Sequence, residues 1–217
     1  MYQACIFDLD GVITDTAHYH FLAWRQLAQS LGIGFTETDN DKLKGIGRME
    51  SLDFILQKSD RDFSLSERQS LAQEKNDIYK QSIEKITPAD LLPGIENTFV
   101  WLKHNGWKIG LASASRNAPQ VIACLGVAGV FDYVADAGAI PKGKPAPDIF
   151  LKVAHTLKVD PPTCVGVEDA AAGVTAIKAA GMYAIGIGDT VTLAHADEIM
   201  PTPEALVQSL SKLAQCV

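Results

Sequence analysis

The sequence predicts an α/β fold, a Rossmann-like core built on a parallel sheet, interrupted after its first strand by an inserted α-helical unit. Short, nearly continuous apolar runs recur at residues 4–7, 107–112, 164–167 and 183–187. Each is followed by a loop and then a helical pattern, as expected of parallel strands buried on both faces. Between residues 17 and 86 no such run occurs, and apolar residues return at helical spacing instead.

Taken in order, the first strand runs into Asp8, Asp10 and Gly11. Phe21, Trp24, Leu27, Ala28 and Leu31 then fall on one helical face. The insert is expected over 16–87, leaving 1–15 and 88–217 as the α/β core. Its return point lies between Pro88 and Gly94, where turn residues mix with a strong helix breaker. The run at 107–112 leads into Ser113 to Asn117. Pro147 suits the first turn of a helix ending near residue 157, and Gly181 stops one beginning near Gly173. Thr202, Pro203 and Glu204 read as N-cap, first helical residue and favourable first-turn charge for the last helix.

A chain of 217 residues buries about 70–75% of its unfolded surface, enough for one sizeable core and a smaller attached unit. With 47% hydrophobic and 21% charged residues, disordered and fibrous classes drop out. The net charge of −7 argues against general attraction to nucleic acid, so no such partner is expected. Cys5, Cys124, Cys164 and Cys216 are far apart, which suggests neither a zinc ligand set nor a disulfide framework and fits a reducing cytoplasm. The first apolar stretch lacks a basic flank and meets Asp8 early, so no signal peptide is expected. No run of ~18 apolar residues predicts a membrane span. No sequence feature fixes an oligomeric state; a monomer is the working expectation.

The chemistry-bearing residues gather where ligands bind in open α/β sheets, beyond the carboxyl ends of the strands. Asp8 and Asp10 follow the first strand, Ser113 to Asn117 the second run, Lys144 opens a later loop, and Glu168 and Asp169 follow the run at 164–167. If strand geometry persists, Asp8 and Asp10 lean to the same side. Unit charges ~4 Å apart repel by roughly 4 kcal/mol at an effective dielectric of 20, so this crowd of carboxylates needs a cation. Only hard oxygens are on offer, which favours Mg²⁺ over zinc, with Asp8, Asp10, Glu168 and Asp169 as ligands. Each motif also has a plainer account. Strand-end aspartates open turns, with Gly11 in support; a loop lysine is usually solvated; Glu168 and Asp169 suit an N-cap before the small-residue helix. Pro145 and Pro147 stiffen the chain around Lys144, whose bond to Pro145 is a candidate for the cis form.

The string FDLDGVITDT, from Phe7 to Thr16, resembles the first motif of the haloacid dehalogenase-like hydrolase superfamily. Ser113 after a hydrophobic strand, Lys144 in Lys-Pro-Ala-Pro-Asp, and Glu168-Asp169 before Ala-Ala-Ala-Gly follow in the family's order. The strings TAHYHFLAW, LKGIGRMESL, EKND, PADLLPGI, LASASRN and KPAPDIF are similar to its β-phosphoglucomutase subfamily, and the helical insert resembles that subfamily's cap. The resemblance implies Asp8 as nucleophile forming an aspartyl phosphate and Asp10 as general acid/base. It further implies Ser113 and Lys144 at the transferring phosphoryl group; Thr16 and His20 lie near enough to Asp10 in sequence to tune its protonation. It implies sugar-phosphate contacts from Lys44, Gly45, Arg48, Ser51, Lys75, Ala114, Ser115, Arg116 and Asn117. Arg48, in a Gly-Ile-Gly-Arg turn, suits a bidentate phosphate grip, whereas Lys75 on a charged helix would by default be solvated, and Trp24 is expected in the core. The implied reaction interconverts β-glucose 1-phosphate and glucose 6-phosphate through a bisphosphate. A sugar-phosphate phosphatase, another sugar 1-phosphate as substrate, and a non-catalytic binding module stay open at this level.

Overall fold

In a computed structural model describing residues 1–215, the strands are β1 (Ala4–Phe7), β2 (Lys108–Leu111), β3 (Tyr133–Val134), β4 (Cys164–Glu168), β5 (Tyr183–Ile187) and β6 (Glu198–Met200). They form one parallel sheet in the order β3-β2-β1-β4-β5-β6. The α-helices are α1 (Ala17–Ser30), α2 (Glu37–Asp41), α3 (Arg48–Leu56), α4 (Leu65–Ile83), α5 (Ile95–His104), α6 (Ala118–Cys124), α7 (Asp148–Leu157), α8 (Ala171–Ala179) and α9 (Leu206–Gln215). Cys216 lies outside the described residues. Cys5, Cys124 and Cys164 are free thiols. Among the described residues, no helix is long and apolar enough to cross a membrane.

The four apolar runs are β1, β2, β4 and β5 to within a residue at either end. β3 and β6 escape the sequence reading because each is very short and only partly buried at a sheet edge. In β1, Cys5 and Phe7 pack with Phe99 and Leu102 of α5 and Leu206 and Leu210 of α9. Ala4 and Ile6 point the other way, toward Phe150 and Val153 of α7 and Val174 and Ile177 of α8. That alternation makes the central strand apolar on both faces, with helices covering each side of the sheet.

Three helix starts differ in detail from expectation. Pro147 is the N-cap of α7. α8 begins at Ala171, two residues before Gly173. Thr202 is the N-cap, Pro203 opens the helix and Glu204 stands in its first turn as expected, but that turn is 3₁₀ (Pro203–Ala205) before α9, and the Thr202 hydroxyl donates to the Glu204 carboxylate at 3.3 Å, not to the backbone.

The insert has its own core, in which Phe21, Trp24, Leu27 and Ala28 of α1 meet Leu52 and Ile55 of α3 and Ala72 of α4. Leu31 is only partly buried against it. The C-terminal end of α4 behaves differently: Tyr79 and Ile83 join the main cluster beneath the sheet. The outgoing and returning segments are tied together, since the Thr14 hydroxyl donates to the Asp90 carbonyl at 2.7 Å and the Leu92 N–H to the Ile13 carbonyl at 2.9 Å.

Candidate active site

β1 lies between β2 and β4, where the strand order reverses and a crevice opens beyond the strand ends. The Asp8 N–H donates to the Val167 carbonyl at 2.9 Å, so the ladder holds Asp8 one residue past its strand. Lys144 Nζ donates to Asp8 Oδ1 at 2.5 Å and to Glu168 Oε1 at 2.6 Å, with all three side chains buried. The Lys144–Pro145 bond is cis. Glu168 Oε2 accepts the Ala170 N–H at 2.8 Å. Neither acidic residue is the N-cap of α8; Ala170 holds that place, and the Glu168 carboxylate braces the turn before it. A Cβ on Gly173 would stand 1.8 Å from Glu168 Oε1, so the helix approaches the carboxylate only because that position carries no side chain.

The electrostatics of this group are those of too many carboxylates for one lysine. Burial alone would lower the Lys144 ammonium, but the charges of Asp8 and Glu168 and their hydrogen bonds hold it above its ordinary value. Burial pushes Glu168 up, with Lys144 opposing. Asp169 is pushed well up by burial, then by Glu168, Asp8 and Asp10. Donor oxygens of Asp8, Glu168 and Asp169 lie within 4.8 Å of one another. This all-oxygen set fits a hard divalent cation, whose charge would relieve the three carboxylates together.

The Asp10 carboxylate stands outside that three-residue group. β1 ends at Phe7 and the chain turns at once, with the Ile13 N–H donating to the Leu9 carbonyl at 2.9 Å. The strand alternation expected to align Asp8 with Asp10 therefore does not reach position 10. Asp10 Oδ2 instead lies 3.9 Å from His20 Nε2. Burial and the Asp8 charge push Asp10 up to about 8, against Lys144 and Lys75. His20 stacks on Tyr79 with ring centres 4.0 Å apart, and its Nδ1 is 2.7 Å from Lys75 Nζ. Burial, then Lys75 and Arg48, hold His20 well below its ordinary value and so neutral. With Lys75 as donor, Nδ1 accepts and the ring proton sits on Nε2, facing Asp10.

Lys75 is not solvated: it is buried, its Nζ 4.5 Å from the centre of the Trp24 ring and 4.9 Å from that of Tyr79. Burial and the Arg48 charge bring it down to about 7, with Asp10 opposing. Asp10 Oδ1, Thr16 Oγ1 and Tyr79 Oη are buried without a hydrogen-bond partner among the described residues. Tyr79 was not foreseen from the sequence, where it reads as one more apolar position on a long helix.

From the insert, Lys44, Gly45, Arg48 and Ser51 face the crevice. Lys44 pairs with Asp41 at 3.2 Å and sends positive charge toward Asp169. Gly45 has φ +75°, and a Cβ there would lie 3.1 Å from that of Ala170, so this loop rests directly on the β4–α8 turn. The Ser51 hydroxyl donates to the Gly47 carbonyl at 2.9 Å. The Arg48 guanidinium is held below its ordinary value by burial and then by the like charge of Arg116 across the crevice. Arg48 Nη2 and Asn117 Nδ2 both donate, at 2.8 Å, to Asn76 Oδ1. A cavity of about 570 Å³ lies between the two parts. Asp8, Asp10, His20, Lys75, Lys144 and Asp169 line it, as do Ala114, Ser115, Arg116 and Asn117. Thr16, Ser113 and Glu168 lie one layer behind that wall, all buried. Ser113 Oγ accepts the Ser115 N–H at 3.1 Å.

A helical cover closing on a cation-seeking carboxylate crevice, at the switch point of a parallel sheet, defines a class of capped α/β proteins suited to anionic ligands. A haloacid dehalogenase-like hydrolase family model matches residues 2–181, and the chain belongs to that family. It is 48% identical over 200 residues to a β-phosphoglucomutase of Bacillus subtilis (strain 168), covering 91% of this chain and 88% of the relative. It is 31% identical over 186 residues to a fructose-1-phosphate phosphatase of Escherichia coli (strain K12), covering 86% and 96%. A crystal structure of a Clostridium difficile β-phosphoglucomutase superposes with a TM-score of 0.95 at 46% identity, covering 98% of this chain and 96% of the other.

Proposed function

We propose that this chain is a phosphomutase interconverting β-D-glucose 1-phosphate and glucose 6-phosphate through an aspartyl phosphate at Asp8 and β-glucose 1,6-bisphosphate. The observation that carries the proposal is that one cavity is lined both by the Asp8–Lys144–Asp169 group and by Arg48 and Arg116. A bisphosphate needs a second cationic seat for the phosphate that is not reacting, and two facing guanidiniums need an anion between them. Residues 16–87 then act as a cap over a core of 1–15 and 88–217.

An Asp8 carboxylate oxygen bonds to phosphorus as the bridging bond from phosphorus to the sugar oxygen breaks, and that oxygen takes the proton held by Asp10. Burial and the Asp8 charge push Asp10 up, which favours its holding this proton. In the return step Asp10 accepts the proton of the attacking sugar hydroxyl, and the bond between Asp8 and phosphorus breaks. Lys144 offsets charge on the phosphoryl oxygens, and the 114–117 loop lines the cavity beside them. When bound by Asp8, Glu168 and Asp169, Mg²⁺ would supply further charge compensation there. The Gly45 loop seated on the β4–α8 turn keeps water from the aspartyl phosphate.

A coupled assay of β-glucose 1-phosphate isomerisation, with and without catalytic β-glucose 1,6-bisphosphate and with phosphate release followed in parallel, tests this. Strong stimulation with little free phosphate is expected, and Asp8→Asn should abolish turnover while the protein stays folded. Rapid phosphate release with no isomer would make the chain a sugar-phosphate phosphatase.

A further inference from the structure

Asn76 has no part in the scheme above, yet it joins the two halves of the site. It stands on α4 beside Lys75, 8% exposed. Its Oδ1 accepts one hydrogen bond from Arg48 Nη2 and one from Asn117 Nδ2, each at 2.8 Å. Arg48 opens α3 in the insert, whereas Asn117 is the N-cap of α6 on the sheet side. A single carboxamide oxygen thus gathers one donor from each part of the molecule.

We infer that Asn76 is a positioning residue, which aims Arg48 and Asn117 at one point and so assembles the seat for the phosphate that is not reacting. This rests on the bisphosphate reading above. Both donors remain useful after binding Asn76: a guanidinium has five N–H groups and a carboxamide two, so each keeps N–H groups for ligand oxygens. The neutrality of the acceptor matters as well. Arg48 is pressed by the like charge of Arg116, a repulsion that an incoming phosphate relieves. A carboxylate at position 76 would hold the same two donors but would satisfy the Arg48 charge itself and compete with the ligand. An amide orients without neutralising.

The test compares two phosphoryl donors to Asp8. β-Glucose 1,6-bisphosphate carries a second phosphate for the Arg48 seat, whereas acetyl phosphate does not. The readout is the ratio of kcat/KM for phosphorylation by the two donors. In Asn76→Ala, which loses both hydrogen bonds, this preference for bisphosphate should fall about tenfold or more, since one such bond alone is worth up to about tenfold. Asn76→Asp, close in shape, should lower it further. General damage to the fold lowers both rates together and leaves the ratio intact, so an unchanged ratio in both variants overturns the inference. If the parent protein itself shows no preference for the bisphosphate and yields no isomer, the mutase reading fails, and this inference with it.

Discussion

Replacing Lys144 by methionine removes the ammonium that contacts two buried carboxylates while keeping most of the side-chain volume against Phe150, whose ring centre lies 5.1 Å from Nζ. The cost follows from the geometry. Donor oxygens of Asp8 and Glu168 lie within 4.8 Å of each other, a repulsion of about 3.5 kcal/mol at an effective dielectric of 20. That agrees with the roughly 3–5 kcal/mol expected when one partner of a buried ion pair is deleted. Proton uptake by Glu168, already pushed up by burial, limits the loss to the lower end. At about 2–4 °C per kcal/mol for a chain of this size, Tm in EDTA should drop by about 6–12 °C. Mg²⁺ should then raise the variant's Tm by more than it raises the parent's, because an unpaired carboxylate group binds a divalent ion more tightly. Thermal unfolding in EDTA and across a Mg²⁺ titration measures both. An unchanged Tm in EDTA, together with the same Mg²⁺ increment in both proteins, would refute the account of Lys144 as the charge partner of this crevice.

Gly45→Ala places a Cβ 3.1 Å from that of Ala170 on a residue with φ +75°, so strain of about 1 kcal/mol should hold the cap loop off the β4–α8 turn. The ratio of free phosphate to isomer should rise several-fold, and a ratio equal to the parent's would show that this contact does not seal the site. Lys75→Met bears on pH. The unfolded chain keeps the lysine proton up to about 10.5, but the folded protein gives it up above about 7. Burying the ammonium therefore costs stability below pH 7, and the cost shrinks as pH rises toward 10.5, with an upper bound of about 5 kcal/mol. The variant should gain stability over the parent most at pH 6 and least near pH 10; a difference constant with pH would mean that Lys75 is not the buried, proton-shedding group described.

The catalytic edge of the sheet was readable because a strand buried on both faces must be apolar throughout. The polar residue that ends such a run, Asp8 after residues 4–7 or Glu168 after residues 164–167, is therefore placed by the run itself. Lys144 could be named from its motif, but its position between Asp8 and Glu168 depends on a loop without periodicity. Asp10 lines the same cavity as Asp8, but its placement depends on the turn directly after β1, which strand alternation does not describe. The residues of α4 were hardest to read. Lys75 and Asn76 share a helix rich in charged and polar residues, where solvation is the natural expectation, and Tyr79 reads there as an ordinary apolar position. Their burial comes from α1 packing beside α4 and from the lower end of α4 sinking into the main core. The EKND string carries a family resemblance, yet nothing in its composition distinguishes a carboxamide that binds two donors from one that faces water.

The tie between Thr14 and the Asp90 carbonyl joins positions 76 apart in the chain. From the sheet's side, everything between them behaves as a short connection whose ends already meet. The entropy of closing so long an excursion is met within the excursion, which folds around its own apolar centre. A cover of different length would therefore fit at the same two residues, provided that it also brought apolar side chains to the places that Tyr79 and Ile83 fill in the main core. Substrate choice can diverge at this junction while the phosphorus chemistry beneath it stays fixed.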